Sequence, residues 1–208
     1  MISIIIPHFN KSEFTNQLVD SLQKYCICKD LEIFVLDDGS KIPYKREGIR
    51  IGRVDENMGF LYAARLGIQL ALGDIKILMN NDVVVTGDFI PLVEKQIKRS
   101  PLSLVGNTLA DWDTGWNTFN GKVFPYLEGY FLAASKQIWE DISFDTRFAP
   151  NDYEDVDLST QAYKLGYPVV PLNCSFIRHL GAGTIGYNPE REKLTRINQE
   201  KFAKKWVK

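Results

Sequence analysis

The sequence predicts an α/β protein built on a mostly parallel sheet with helices on both faces. Three observations carry this. The strand-like segments are continuous apolar runs rather than alternating ones, as strands covered on both faces must be. Helical periodicities separate several of them, in the order strand, helix, strand, strand, helix, strand, helix over the first half. Successive strand ends then present polar, largely acidic residues on the rim where open α/β sheets bind ligands.

Ile2–Ile6 is short and β-branched, and Pro7 ends it. Ser12 is placed to cap a helix in which Phe14, Leu18 and Leu22 recur every four residues, with Val19 beside them. Glu32–Leu36 is the second strand, stopped by "DDGS", and Ile49–Val54 the third. "NMGFLYAARLGIQLALGD" predicts a helix from about Gly59 to Leu72, closed by Gly73. Ile75–Met79 is the fourth strand; after Asn80, Asn81 and Asp82, "VVV" resumes as a short strand leading away. Asp88 caps a helix reaching Lys98, ahead of Pro101. Asn107 to Pro125 reads as one long irregular region carrying Trp112, Trp116 and Phe119, and long loops with exposed-looking aromatics are more often functional than accidental. "NDYEDVDLSTQAYKLG" predicts a helix with Leu158, Ala162 and Leu165 as its buried stripe and Gly166 at its end. Pro189 to Lys208 reads as a basic amphipathic helix whose Phe202 and Trp206 share a face. Docking on the body is favoured for it over a weak membrane-surface role.

The length of 208 residues suits one domain with a real core, and 45% hydrophobic with 25% charged residues is the balance of a soluble globular chain. A net charge of -1 gives no basic field to recruit nucleic acid. No apolar run approaches the roughly 20 residues that span a bilayer. The opening "MISIIIPHFN" lacks a signal peptide's positive flank and cleavage site, so a cytoplasmic location is expected. Cys26, Cys28 and Cys174 show no C-x-x-C spacing, which argues against a disulfide framework or a zinc knuckle and for buried or incidental thiols.

Four strand ends are informative. His8-Phe9-Asn10 follows the first, Asp37-Asp38 the second, Asp55-Glu56-Asn57 the third and Asn80-Asn81-Asp82 the fourth. One polar end is a turn. Four on one rim make a site, and an acidic one suits a divalent metal or a hydroxyl-rich ligand.

With these residues in view, the chain resembles a family 2 glycosyltransferase of the GT-A fold. The matching stretches are "ISIIIPHFNKSEF", "EIFVLDDGS", "ENMGFLYAARLGI", "ILMNNDVVV", "YEDVDLSTQAYKLGY" and "FIRHLGAGTIG", with "NQEKFAKKW" similar to a common C-terminal helix. Each alone is weak; six in order are specific. The resemblance implies a Rossmann-like sheet with a smaller acceptor-side subregion. It divides the single domain at about 1–106 for the nucleotide sugar, 107–188 for acceptor and catalysis, and 189–208 for the last helix. It further implies a hexosyl- or deoxyhexosyltransferase that inverts the anomeric centre, a UDP-, GDP- or dTDP-sugar donor, and a divalent metal, Mn²⁺ or Mg²⁺. The acceptor would be a glycan, lipid-linked or protein-linked. Asp38 would contact the base with Phe9 nearby, and Asn57 and Gly59 would lie along the nucleotide. Asp82 matches the metal carboxylate, Asp155 the catalytic base, and His179 a histidine near metal and diphosphate. The family's first metal-motif aspartate is Asn80 here, which removes one charge.

The chemistry fits these residue types. Asp82 is a hard oxygen ligand suited to Mg²⁺ or Mn²⁺; its plain alternative is a turn cap. Acids in a first helical turn are often dipole partners, and Asp157 is assigned to that role. Asp155 beside an anionic diphosphate would have a raised pKa, useful in a general base, and Glu154 is assigned to an acceptor hydroxyl. His179 leads a glycine-rich loop able to bring N–H groups to phosphate; an ordinary surface or core histidine is the alternative. Trp112 and Trp116 either stack on acceptor sugar or pack the loop, Arg65 either meets the nucleotide or lies on a helix surface, and Gly129 lets the acceptor approach the backbone. His8 carries no assignment. Two rivals remain: a nucleotide-sugar or glycan-binding domain without turnover, motivated by Asn80, and a sugar nucleotidyltransferase, disfavoured because "PHFNKS" lacks that class's glycine-rich phosphate loop.

Overall fold

A computed structural model describes residues 1–181 and 189–207. Along the chain, β1 (Ile2–His8) leads to α1 (Ser12–Tyr25), β2 (Leu31–Asp38), β3 (Arg50–Val54), α2 (Phe60–Leu70), β4 (Ile75–Met79), β5 (Val83–Val85), α3 (Ile90–Arg99) and β6 (Leu104–Gly106). Four two-residue strands follow: β7 (Leu109–Ala110), β8 (Thr118–Phe119), β9 (Lys122–Val123) and β10 (Tyr126–Leu127). Then come β11 (Phe131–Ser135), α4 (Lys136–Asp141), α5 (Glu154–Lys164), β12 (Val169–Pro171), β13 (Ile177–His179) and α6 (Pro189–Trp206).

The main sheet has the order β12-β6-β11-β4-β1-β2-β3. β4, β1, β2 and β3 run parallel, and β12 is parallel to β6. β11 lies antiparallel between β4 and β6. Every residue of β1 is buried because both faces are covered. Ile4 and Ile6 join Leu18, Val35, Ile77 and Val93 on the α1/α3 side. Ile5 joins Leu36, Ala64, Leu78, Leu158 and Phe202 on the other, under α2, α5 and α6. A continuous apolar run is the signature of such a two-faced strand.

Some expectations are corrected. Ser12 is the first residue of α1 rather than its cap; Lys11 stands at the cap position without a side-chain hydrogen bond. Asp88 likewise stands one residue before the cap position of α3, which Phe89 holds, although its carboxylate accepts from the Ile90 N–H at 3.0 Å. Leu165 is 52% exposed, because it stands at the end of α5 beyond the last turn that faces the core. The 107–125 region is not wholly irregular: β7 pairs with β10, and β8 with β9. Phe119 is spent on packing, stacked on Phe202 at 5.3 Å. α6 docks as expected, with Phe202 fully buried. Among the described residues no helix is long and apolar enough to cross a membrane. The three cysteines are free, and burial pushes the Cys26 thiol up to about 12, which makes it an inert core thiol.

Candidate active site

The two aspartates of "DDGS" divide their work. Asp37 is fully buried and accepts from the N–H groups of Ser40 (3.0 Å) and Tyr44 (2.9 Å) and from the Arg53 guanidinium. It fastens the turn. Asp38 is 3% exposed and accepts from the N–H groups of Met58 and Gly59, each at 2.9 Å. Burial pushes its pKa up. Each of its oxygens keeps a further lone pair. The two turns meet backbone to backbone: Gly39 has φ +70°, and a Cβ there would lie 2.4 Å from the Glu56 carbonyl carbon. Gly59, at φ 88°, opens α2 and also takes the Asn57 side-chain oxygen at 2.8 Å.

At the end of β4 the three polar residues of "NND" separate. The Asn80 N–H donates to the Tyr130 carbonyl at 3.0 Å, while its side-chain oxygen is buried with no partner among the described residues. Asn81 donates from Nδ2 to the Thr15 hydroxyl at 3.3 Å. Asp82 is 5% exposed, and its Oδ1 lies 3.1 Å from His179 Nε2. The short strand after it explains this meeting: β5 pairs antiparallel with β13, with His179 opposite Val83. The His179 ring stacks on Tyr130 at 4.8 Å and 12°, and the Tyr130 hydroxyl is held by Asn107 (3.0 Å) and Thr108 (2.7 Å).

These residues bear on a metal. Among the described residues no three His, Cys, Asp or Glu side chains cluster as a complete ligand set. What is present is a carboxylate, an imidazole and the unpartnered amide oxygen of Asn80. That partial set fits a hard divalent cation that completes its shell with phosphate oxygens and water. The glycine-rich stretch after His179 falls mostly on residues 182–188, outside the described residues.

Across the cleft, the start of α5 is clamped. Asp152 (φ 71°) and Tyr153 (φ 75°) are consecutive left-handed residues, a costly backbone that needs support. Arg191 and Thr195 of α6 each reach the Asp152 carboxylate at 2.7 Å. Asn198 Nδ2 lies 2.8–3.0 Å from the carbonyls of Phe148, Asn151 and Asp152. The Tyr153 hydroxyl donates to the Trp116 carbonyl. Glu154 and Asp155 follow at once. Asp155 accepts from the N–H groups of Gly129 (3.1 Å) and Val156 (2.8 Å), and burial pushes its pKa up against those bonds. Glu154 Oε2 is buried without a partner among the described residues, and burial, then the Asp155 charge, raises it well above the ordinary range. A Cβ on Gly129 would sit 3.2 Å from the Asp155 Cβ, so this glycine makes room for Asp155 itself.

Asp157 stands in the first turn of α5, as its dipole role requires, but it does more than that. It is fully buried and accepts from Trp206 Nε1 (2.7 Å), Gln161 Nε2 (2.7 Å) and Lys205 Nζ. It anchors α6.

A cleft of about 310 Å³ joins these parts. It brings together Phe9, Asp38, Asn57, Gly59, Asp82, Glu154 and His179. Asp155, Gly129 and Trp116 stand outside its lining: Asp155 follows Glu154 and takes the Gly129 N–H, while Trp116 is tied to Tyr153, itself outside the lining. Trp112 and Trp116 are 55% and 40% exposed. Arg65 lines a neighbouring hollow with Met58 and Tyr62, not the cleft. The sequence reading missed Arg191, whose guanidinium lines the cleft from α6, and left His8 unassigned although it lines the cleft too. No local motif announces Arg191; its partner Asp152 lies 39 residues away.

Comparison with known proteins agrees with this architecture. Residues 3–150 match the family described as Glycosyl transferase family 2. An uncharacterised protein of Mycobacterium bovis is 25% identical over 204 residues, covering 88% of this chain and 75% of that protein. EpsJ of Bacillus subtilis, named as an uncharacterised glycosyltransferase, is 25% identical over 158 residues, covering 71% of this chain and 45% of its own length. Among solved structures, the mannosyltransferase PcManGT from Pyrobaculum calidifontis, in complex with GDP-Man and Mn²⁺, superposes with a TM-score of 0.60 at 18% identity. S. aureus TarS in complex with UDP superposes at 0.65 and 15% identity. The chain is covered to 82% and 85% in these matches but spans only 54% and 59% of the two structures. At such identities the superpositions speak for the fold, and together with the family match they place the chain: it belongs to glycosyl transferase family 2 and has the GT-A fold.

Proposed function

We propose that this chain is an inverting glycosyltransferase that moves a sugar from a nucleoside-diphosphate sugar to an acceptor hydroxyl, assisted by a divalent metal. The observation that carries this is the cleft itself. One cavity on the carboxyl rim of β1, β2 and β4 gathers Asp38, Asn57, Asp82 and His179 on one side and Glu154 on the other. The GDP-Man and Mn²⁺ of PcManGT and the UDP of TarS support the same ligand classes here.

In this reading the nucleotide lies along Phe9, Asp38, Asn57 and Gly59, and its diphosphate reaches Asp82 and His179. Asp82 and His179 would hold a divalent cation, which when bound would supply charge neutralisation for the departing diphosphate. Arg191, which also lines the cleft while paired with Asp152, adds a positive charge that favours the anionic diphosphate directly. Asp155 takes the acceptor's proton as the acceptor oxygen bonds to the anomeric carbon and the carbon–phosphate oxygen bond breaks on the far face. Its raised pKa suits that task near neutral pH. Gly129 holds one carboxylate oxygen by its N–H and leaves a lone pair for the proton. Glu154 and the exposed Trp116 border the acceptor.

A donor-hydrolysis panel tests the reading. UDP-, GDP- and dTDP-sugars are incubated with Mn²⁺, Mg²⁺ or EDTA, and released nucleoside diphosphate is measured. Metal-dependent release from one donor, lost in Asp82→Ala, is the expected result. Tight donor binding by calorimetry with no turnover on any acceptor would replace the enzyme by a binding domain.

A further inference from the structure

We infer that His8 is a fixed hydrogen-bond donor to the bound nucleotide, with Thr15 and Asn81 setting which ring nitrogen carries the proton. This rests on the nucleotide-binding reading of the cleft above. His8 ends β1, is 1% exposed, and lines the cleft. It has two polar atoms. Nδ1 lies 2.7 Å from the Thr15 hydroxyl of α1. Nε2 is buried and has no partner among the described residues. A buried polar atom is nearly always bonded, so an orphan in the wall of a ligand cleft marks a ligand contact.

The tautomer follows from the chain of bonds. A hydroxyl has one proton to give and lone pairs to receive. Asn81 Nδ2 donates to the Thr15 oxygen at 3.3 Å. The proton of Thr15, itself fully buried, then goes to His8 Nδ1, its nearest acceptor. The ring therefore carries its own proton on Nε2. Burial keeps the imidazole neutral, against the pull of Asp37 and Glu13. The middle residue of "NND" thereby gains a role: through Thr15 it orders a histidine on the neighbouring strand.

Position narrows the contact. β1 lies between β2, which carries Asp38, and β4, which leads to Asp82. A nucleotide laid from Asp38 to Asp82 passes His8 at its middle, so the acceptor is an oxygen of the ribose or of the adjoining phosphate.

Long-range ¹⁵N–¹H spectra of the histidine-labelled wild-type protein test this. The chain has two histidines, and the signal missing from His8→Phe is that of His8. The expected result is an Nε2–H tautomer at His8 whose proton resonance moves when UDP or GDP binds, and a loss of that tautomer's dominance in Thr15→Val. By calorimetry, His8→Phe should weaken nucleoside diphosphate about 5- to 10-fold. A 2′-deoxy nucleotide that erases the difference assigns the ribose; a free nucleoside that erases it assigns the phosphate. An Nδ1–H tautomer, or equal affinity in His8→Phe, overturns the inference while leaving the nucleotide site standing. A wild-type protein that binds no nucleotide overturns both.

Discussion

Asp155 and Asp157 lie in the same first turn of α5, yet their carboxylates meet different surroundings. Asp157 is sealed beneath α6 with three donors, whereas Asp155 is half-buried beside the cleft with two backbone N–H groups. Sequence alone separates them only through the family pattern, because the donors that distinguish them arrive from Gly129 and from Lys205 and Trp206. Burial raises Asp155 to about 6, so the acid limb of kcat should fall near that pH and not in the ordinary carboxylate range. A pH–rate profile with saturating donor and acceptor reads it directly. The same shift has a sign in stability. The folded state binds this proton more tightly than the unfolded state, so stability is lost as pH rises from the ordinary carboxylate value towards about 6. Asp155→Asn should therefore lower kcat by about 10²–10⁴-fold, leave donor affinity intact, and raise Tm at pH 8 by about 1–3 °C. A Tm gain at pH 4 equal to that at pH 8 would contradict the assignment.

At the scale of elements, legibility follows burial. β1, β2 and β4 are apolar on both faces, and their positions were readable to within a residue or two. β11 was not read as a strand at all, and nothing local marks its reversed direction. Its reversal matters, because it brings the start of β11, with Gly129 and Tyr130, to the rim where β4 ends. A search for polar residues after strands passes over that start. β13 is three residues long, and its value lies only in its pairing with β5. α6 was readable as a docking helix, but not as a clamp on the 148–152 turn, because Asn198 and Arg191 look like ordinary helix-surface residues until the turn is folded against them. Phe202 is the helix's main anchor, with Phe124 at 5.2 Å and Tyr153 at 5.7 Å. Phe202→Ala should cost about 3–5 kcal/mol in urea unfolding. If the clamp matters to chemistry, the variant should also lose kcat at temperatures where it remains folded.

At the scale of the molecule, the parallel strands and the reversed strand form one continuous sheet, with the proposed donor site at its middle. The class of fold was legible because many weak signals agreed; the acceptor side was not, because it is assembled from two-residue strands and turns with no periodicity to read. Nucleotide bound in that cleft would meet β1, β2, the Asn80–Asp82 turn after β4, α2, β13, α5 and α6 together, so its effect should be global. At 100 times its Kd, nucleoside diphosphate with Mn²⁺ should stabilise the fold by about 2.7 kcal/mol and raise Tm by about 5–10 °C. Differential scanning fluorimetry checks this, and a shift that survives in Asp82→Ala would place the metal elsewhere.

The pairing of β5 with β13 also has a consequence in time. Asp82 and His179 are 97 residues apart in the chain. At roughly 5–20 residues per second of synthesis, a ribosome needs about 5–20 s after making the carboxylate to make its histidine. The Arg191 and Asn198 that clamp the 148–152 turn come later still. A growing chain can thus lay down β1 to β4 while its cleft is still missing a wall, and the cleft is complete only once α6 has left the ribosome.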